Sequence, residues 1–213
     1  VHLVLALDSF KKKDYKKSKE HLQRSYAFIN NDRLSLIISE TLKQYLYVFE
    51  QNKILKTKNK FGNFTFINEV FQRCYLDDQN TKTYFKNLIN NKGNVRTKDA
   101  DFSRYIFFYI SYLIENDGYE EAKNIANNID YLNSSLLVSQ GKKWVEDQKL
   151  EEFNKVFSCK NPDDIVSELL FLVANLYSSQ NDYEKSNFYL NISNYLNPKF
   201  KFNLSLLAEN FYL

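Results

Sequence analysis

The side chains best suited to chemistry are two histidines and three pairs of adjacent carboxylates. His2 and His21 lie on different predicted helices, and neither has a serine or cysteine at a spacing typical of an activated nucleophile. The acidic pairs are Asp77-Asp78, Glu151-Glu152 and Asp163-Asp164. Paired carboxylates can act as general acid and base, but adjacent acids more often cap helix N-termini or face solvent. A hydrolase or another enzyme with an acidic active site on a helical scaffold therefore stays the alternative to a non-catalytic protein.

Metal and cofactor motifs are absent from the sequence. The chain has no HExxH pair, no phosphate-binding loop and no glycine-rich dinucleotide fingerprint. Its two cysteines, Cys74 and Cys159, are not part of a CxxC motif, so the sequence indicates neither a zinc ribbon nor a disulfide scaffold. We expect no metal, no cofactor and no catalytic residue.

Composition favours a helical protein. Among 213 residues there are only 4 glycines and 2 prolines, which favours long helices over strands and turns. The net charge of +3 is mildly basic, and no concentrated basic stripe lies beside the aromatic residues, so we expect no nucleic-acid partner. No apolar run is long enough to span a bilayer. Because the sequence begins with valine and contains no methionine, we expect a piece of a longer protein, forming one helical array over 1–213.

The clearest structural signal is a helical hairpin over 167–200. Asn161 and Pro162 are typical of a helix start, as N-cap and first helical residue. The polar stretch 180–182 separates this first helix from a second, which runs from Tyr183 to Leu196 and ends before Pro198. Small residues are needed where paired helices approach closely, so we expect Ser186 to be buried, together with Ala122 in a similar hairpin.

This hairpin resembles the tetratricopeptide repeat, a helix–turn–helix unit of 34 residues. The matching positions are Leu170, Val173, Ala174 and Tyr177 in the first helix and Ser186, Leu190, Ser193 and Pro198 in the second. Further copies are predicted at 1–30 and 99–132. A partial copy is predicted at 201–213, with Leu204, Leu207, Ala208 and Phe211 on its apolar stripe. The stretch 132–160 fits no repeat: we expect a helix over 135–148, followed by a segment that crosses the surface in extended form.

The resemblance implies an all-α fold, a right-handed α-solenoid of ten to eleven helices stacked as antiparallel pairs. The two ends of the chain are similar to tetratricopeptide proteins of alphaproteobacteria. Longer members of that group often begin with a secretory leader, which implies a periplasmic location. A cytoplasmic location in a bacterium stays the alternative.

Solenoids of this type bind partners on a concave groove lined by the first helix of each repeat. The matched register places eight residues there: Arg104, Phe107, Ser111, Glu115, Glu168, Phe171, Asn175 and Ser179. Phe107 and Phe171 take equivalent positions and would anchor a peptide or a partner helix, unless neighbouring helices cover them. Tetratricopeptide domains that clamp C-terminal carboxylates use lysine and asparagine; Asn175 fits, but Phe171 replaces the lysine. The sequence therefore predicts a non-catalytic scaffold or adaptor with a protein or peptide partner.

Overall fold

The computed structural model describes residues 1–26, 33–55, 61–90 and 102–212, and within these ranges every regular element is helical. In chain order the helices are α1 (His2–Lys11), α2 (Tyr15–Tyr26), α3 (Arg33–Gln51), α4 (Asn63–Leu76), α5 (Thr81–Ile89), α6 (Arg104–Glu115), α7 (Tyr119–Asn127), α8 (Leu136–Glu146), α9 (Glu151–Val156), α10 (Pro162–Ser179), α11 (Tyr183–Leu196), a 3-10 helix (Lys201–Asn203) and α12 (Leu204–Tyr212). The all-α prediction is confirmed. None of the helices in these ranges has the length and apolar character needed to cross a bilayer. The ends of two predicted repeats, 27–30 and 99–101, lie outside the described residues.

The α10–α11 hairpin forms where the sequence predicts it. The side chain of Asn161 accepts a hydrogen bond from the backbone N–H of Asp163, and Pro162 takes the first helical position. The side chain of Asp182 accepts in the same way from the N–H of Lys185 and starts α11. Each cap satisfies a backbone donor that has no partner within its helix, so these local signals fix the helix starts.

One type of turn recurs along the chain and joins the helices of the pairs α1–α2, α4–α5, α6–α7, α8–α9 and α10–α11. A residue with left-handed φ follows the first helix of each pair: Lys13, Asp77, Asp117, Gln148 and Asn181. The next residue then donates its N–H to the carbonyl five positions earlier, as Asp182 does to Tyr177 at 2.9 Å. This is the Schellman arrangement, which satisfies carbonyls at a helix end. The chain is therefore a series of similar helical hairpins.

Small residues lie where the two helices of a hairpin approach. The Ser18 hydroxyl of α2 donates to the carbonyl of Ala6 in α1 at 2.8 Å, and the Ser193 hydroxyl of α11 donates to the carbonyl of Ser167 at 2.9 Å. Ala122 and Ser186 are both fully buried, which confirms that prediction. A larger side chain at these sites would separate the paired helices.

The hairpins differ from an open superhelix, because helices far apart in the sequence are in contact. Helix α10 packs against α3. Lys11 of α1 donates to the carbonyl of Leu196 at 2.5 Å and lies 3.5 Å from the carboxylate of Asp163, while the Tyr195 hydroxyl donates to Asp8 at 3.1 Å. In a solenoid each repeat contacts only its neighbours. The expected right-handed solenoid is therefore not confirmed, and the α10–α11 hairpin closes against the first helices.

The last helix, α12, packs through a different face from the predicted one. Leu206 and Asn210 are buried, whereas Phe211 is 75% exposed. The predicted stripe of Leu204, Leu207, Ala208 and Phe211 is partly or largely exposed. A hydrogen bond between helices explains this orientation, because Asn210 donates to the hydroxyl of Ser186 on α11 at 2.8 Å. The serines that allow α10 and α11 to approach also present hydroxyl groups, and these select the asparagine face of α12.

Candidate functional site

A later part of the chain covers the face of α6 that carries the predicted groove residues. This covering segment, residues 150–159, contains α9 and continues in extended conformation at Phe157, with φ −155° and ψ 136°. Phe153 and Phe157 are buried. The prediction that this stretch crosses the surface in extended form is corrected, because residues 151–156 form α9 and the two phenylalanines face the aromatic core.

The covering segment contacts successive predicted groove positions along α6. The Phe153 ring lies 5.2 Å from that of Phe107, measured between centroids. One turn further on, the Ser111 hydroxyl donates to the carbonyl of Phe157 at 3.4 Å. At the end of α6, the Ser158 hydroxyl donates to the carboxylate of Glu115 at 2.5 Å. The segment thus runs along α6 in the direction of that helix.

Side chains from two directions also bind the main chain of the covering segment. Asn197, which follows α11, donates its amide to the carbonyl of Val156 at 2.9 Å, and Asp164 of α10 accepts from the N–H of Ser158 at 2.9 Å. Val156 is the last residue of α9, so its carbonyl has no partner within that helix, and the N–H of Ser158 lies beyond the helix end. The surface between α6 and the α10–α11 hairpin therefore binds the backbone where α9 ends.

Aromatic rings form the seats for the two phenylalanines. Phe157 is 2% exposed and lies 4.5 Å from Phe108, 6.0 Å from Phe71 and 6.1 Å from Phe200, measured between ring centroids. These rings come from α4, α6 and the chain before the 3-10 helix. Three separate parts of the sequence therefore meet around one side chain of the covering segment.

The seat of Phe153 depends on a glycine within α8. Phe153 packs against Trp144 with ring centroids 5.2 Å apart in an edge-to-face arrangement. A Cβ added to Gly141 would lie 2.9 Å from the ring of Phe107 and 3.6 Å from that of Phe153. Glycine weakens a helix interior, so its presence here is explained by the close approach of α8 to these rings.

At the start of α6, Arg104 and Glu168 form a buried ion pair. The guanidinium group donates to both carboxylate oxygens at 2.8 Å and to the side-chain oxygen of Asn203 at 2.7 Å. It also stacks on the Phe171 ring, 3.8 Å from its centroid. Glu168 is 2% exposed. These contacts connect α6, α10 and the 3-10 helix, so the pair joins elements rather than offering a free charge to a partner.

The eight predicted groove residues do not line one open surface. The structure brings Arg104, Glu168 and Phe171 together in the ion-pair cluster, and it buries Phe107 and Ser111 beneath the covering segment. Glu115, at the end of α6, is partly buried and accepts the hydrogen bond from Ser158 of the covering segment. The last two positions, Asn175 and Ser179, lie on the exposed side of α10. The sequence analysis left open that neighbouring parts of the chain cover these positions. For the α6 positions, the structure shows such a cover.

A disulfide between Cys74 and Cys159 ties the covering segment to the end of α4. Their Cα atoms are 5.8 Å apart and the cysteines are separated by 85 residues. Both cysteines are buried, at 0% and 3% exposure. The expectation from the sequence, which gave no sign of a disulfide, is corrected. Two cysteines so far apart carry no spacing signal, and only the fold brings them together.

The acidic pairs have structural partners. Asp78 pairs with Arg73 at 2.7 Å, and Glu152 pairs with Lys155 at 2.6 Å. Burial raises the pKa of Asp164 to about 6, although hydrogen bonds from the Ser158 N–H and the Asn161 amide oppose the rise. Over the described ranges, no group of three His, Cys, Asp or Glu side chains is placed to hold a metal ion.

The two histidines face each other across the α1–α2 hairpin. The rings of His2 and His21 are stacked with centroids 5.8 Å apart. Such stacking is a packing arrangement between the two helices, and no third ligand-type side chain joins the pair within the described residues. The structure therefore gives the histidines a place in the first hairpin and not in the covered groove.

An open cleft that the sequence did not reveal lies between α5, α6 and α7. Its volume is about 500 Å³, and its walls include four isoleucines, Ile89, Ile106, Ile125 and Ile129. Burial alone would raise the pKa of Glu121 in this cleft, but hydrogen bonds from Lys86, Tyr109 and Lys82 outweigh it and lower the pKa to about 2. The volume lies in the range of ligand-binding clefts. The charge of Glu121 is already balanced by its neighbours.

Comparisons with protein-family profiles, with curated protein sequences and with solved structures found no match. The resemblance to tetratricopeptide repeats therefore depends on the matched residues, and the recurring turns agree with a repeated hairpin.

Proposed function

We propose that the protein is a non-catalytic scaffold or adaptor whose α6 face binds a segment of another protein chain. The observation that supports this proposal is the covering segment, which occupies that face. The segment is a short stretch of chain, helical over α9 and extended at Phe157, held through its backbone and through buried aromatic side chains. An extended peptide recognised by main-chain hydrogen bonds with side-chain pockets is a common mode of protein–protein recognition.

Two types of contact hold the covering segment, and together they indicate what kind of partner segment the α6 face would bind. Ser111, Asn197 and Asp164 bind backbone groups, and such contacts tolerate different sequences. The seats filled by Phe153 and Phe157 require large apolar side chains. We therefore expect a partner segment with two aromatic residues spaced as these two are.

The hairpin architecture supports the same proposal. We propose that the hairpins are tetratricopeptide-like, on the basis of the matched residues, the recurring turns and the buried small residues Ala122 and Ser186. A non-catalytic role is supported by the acidic pairs, since Asp78 and Glu152 form ion pairs and Asp164 binds a backbone N–H. Proteins built from helical hairpins commonly present extended surfaces for binding.

A peptide-rescue experiment tests the proposed function. The peptide LEEFNKVFSSK copies residues 150–160 with serine in place of Cys159 and carries a fluorescent label. The wild type and the variant Phe157→Ala are compared in dithiothreitol, so that the Cys74–Cys159 disulfide is reduced in both. In the variant, the aromatic seat is empty and the internal segment is held less strongly. We expect the peptide to bind this variant at least about tenfold more tightly than the wild type, a difference of about 1.4 kcal/mol. Fluorescence polarisation measures the two dissociation constants.

The matched control is the same peptide with alanine at both phenylalanine positions. It should bind the variant much more weakly than the intact peptide, because it leaves the seats empty. Circular dichroism first establishes that the variant keeps its helical content. Equal binding of the two peptides, or no binding to a folded variant, would contradict the proposal.

A further inference from the structure

The disulfide lies at the C-terminal end of the covering segment, next to the last residue of that segment that contacts α6. Ser158, the last residue of the segment to contact α6, immediately precedes Cys159. Cys74 is in α4, the helix that also supplies Phe71 to the seat of Phe157. The covalent bond therefore fixes the segment beside the seat that Phe157 fills.

The disulfide changes what the covering segment can do. At one end the segment continues from the turn after α8, and beyond Cys159 the chain continues to the start of α10 at Pro162. Without the bond, the stretch between these two helices is a loop whose attachment to α6 is non-covalent. With the bond, Cys159 is held at α4, and the segment cannot leave the groove as a whole. The polypeptide chain tethers the segment at both ends in either state, and the disulfide adds an attachment beside the seat, which raises the effective concentration of the segment further against a free peptide.

We propose that the Cys74–Cys159 disulfide is a redox-controlled clasp, which closes the α6 groove with the covering segment when oxidised and permits entry of a partner chain when reduced. This inference rests on the proposed function of the groove. The reductant is a dithiol, which transfers two electrons and two protons. The S–S bond breaks, Cys74 and Cys159 become thiols, and the donor closes its own disulfide.

Burial sets the condition for reduction. Because Cys74 and Cys159 are 0% and 3% exposed, a dithiol reaches the sulfur atoms only after the segment opens locally. The clasp therefore stays closed in an oxidising compartment, where disulfides persist. It opens where a dithiol is maintained, and a partner that favours the open segment accelerates the reduction.

The experiment compares three forms of the full chain. They are the wild type after incubation with oxidised glutathione, the wild type reduced by dithiothreitol, and the double variant Cys74→Ala/Cys159→Ala. The probe is the labelled peptide LEEFNKVFSSK. The reduced protein and the double variant should bind it at least about tenfold more tightly than the oxidised protein.

Each contrary outcome identifies what fails. Two alkylatable thiols in the glutathione-treated protein would show that the disulfide does not form, and would overturn the clasp. Equal peptide affinity in the oxidised and reduced states, with tighter binding to Phe157→Ala, would overturn the clasp and leave the proposed function intact. Loss of helical content on reduction would show that the disulfide is needed to maintain the fold, and would overturn the clasp. Absence of binding by every folded form, Phe157→Ala included, would overturn the proposed function and the clasp together.

Discussion

Truncating Phe157 to alanine removes the ring that seats the covering segment on α6. This ring is 2% exposed and is surrounded by Phe71, Phe108 and Phe200, with centroid distances between 4.5 Å and 6.1 Å. The backbone contacts survive the change, because the hydrogen bond from Ser111 goes to the carbonyl oxygen of the residue and not to its side chain. The variant therefore isolates the contribution of the aromatic seat.

The expected loss follows from burial and from the cavity that remains. Complete burial of a phenylalanine side chain stabilises a protein by about 1.5–3 kcal/mol through the hydrophobic effect. A cavity of about 90 Å³, at about 24 cal/mol per Å³, adds about 2 kcal/mol if the surrounding rings do not collapse. We expect the free energy of unfolding to fall by about 3–5 kcal/mol.

Urea unfolding followed by the fluorescence of Trp144 measures this loss. Trp144 is the single tryptophan of the chain and contacts Phe153 of the same segment, so it reports on the relevant region. With a slope of about 2–3 kcal/mol per molar urea, the midpoint should fall by about 1–2 M. The control is Phe211→Ala, whose ring is 75% exposed and whose loss should stay within about 0.5 kcal/mol. Equal losses in both variants would refute the placement of Phe157 in a packed seat.

Three further predictions concern the ion pair, the buried acid and the hairpin seam. Arg104→Met should cost about 3–5 kcal/mol because Glu168 is left buried without a partner, and adding Glu168→Leu should recover most of that loss in urea unfolding. Since the folded state raises the pKa of Asp164 from 3.8 to about 6, it binds that proton more tightly than the unfolded state does. The free energy of unfolding of the wild type relative to that of Asp164→Asn should therefore be greatest below about pH 4 and fall by about 3 kcal/mol as the pH rises through about 6. A difference between the two proteins that does not change with pH would contradict the burial of this carboxyl. Ala122→Leu should lower the free energy of unfolding by about 1–3 kcal/mol through overpacking. Lys123→Leu, on the exposed side of α7, should change the free energy of unfolding by less than about 0.5 kcal/mol. A larger loss at Lys123 would mean that α7 packs through another face.

Features decided within one or two helical turns could be predicted from the sequence. Asn161 caps α10 where expected, and the predicted second helix from Tyr183 to Leu196 has the observed bounds. The burial of Ser186 followed from the need for a small residue between paired helices. In each case the residue type and its immediate neighbours determine the outcome.

Features decided by distant contacts could not be predicted. Nothing near Cys74 indicates Cys159, and nothing near Lys11 indicates that it will contact the end of α11. The two phenylalanines of the covering segment face rings from several distant elements, and the position of the segment on α6 depends on Gly141 in another helix. The predicted groove residues were placed on the correct helices, but the sequence could not show what would cover them.

The face used by α12 illustrates the same limit. Its apolar residues match the repeat pattern, yet Leu206 and Asn210 are the ones buried. The pairing of Asn210 with the hydroxyl of Ser186 depends on a helix that the local pattern of α12 does not describe. A polar contact between elements thus overrides an apolar periodicity within one element.

Hydrogen–deuterium exchange over residues 150–159 tests most directly whether the covering segment is held as a ligand on α6. In the oxidised protein the N–H of Ser158 donates to Asp164, and the N–H of Phe157 donates to the carbonyl of Phe153. We predict that these amides exchange as slowly as those in the middle of α6 and that reduction of the disulfide accelerates their exchange by at least about tenfold, while the amides of α6 keep their protection. Exchange of residues 150–159 at the rate of an exposed loop in the oxidised protein would contradict the account.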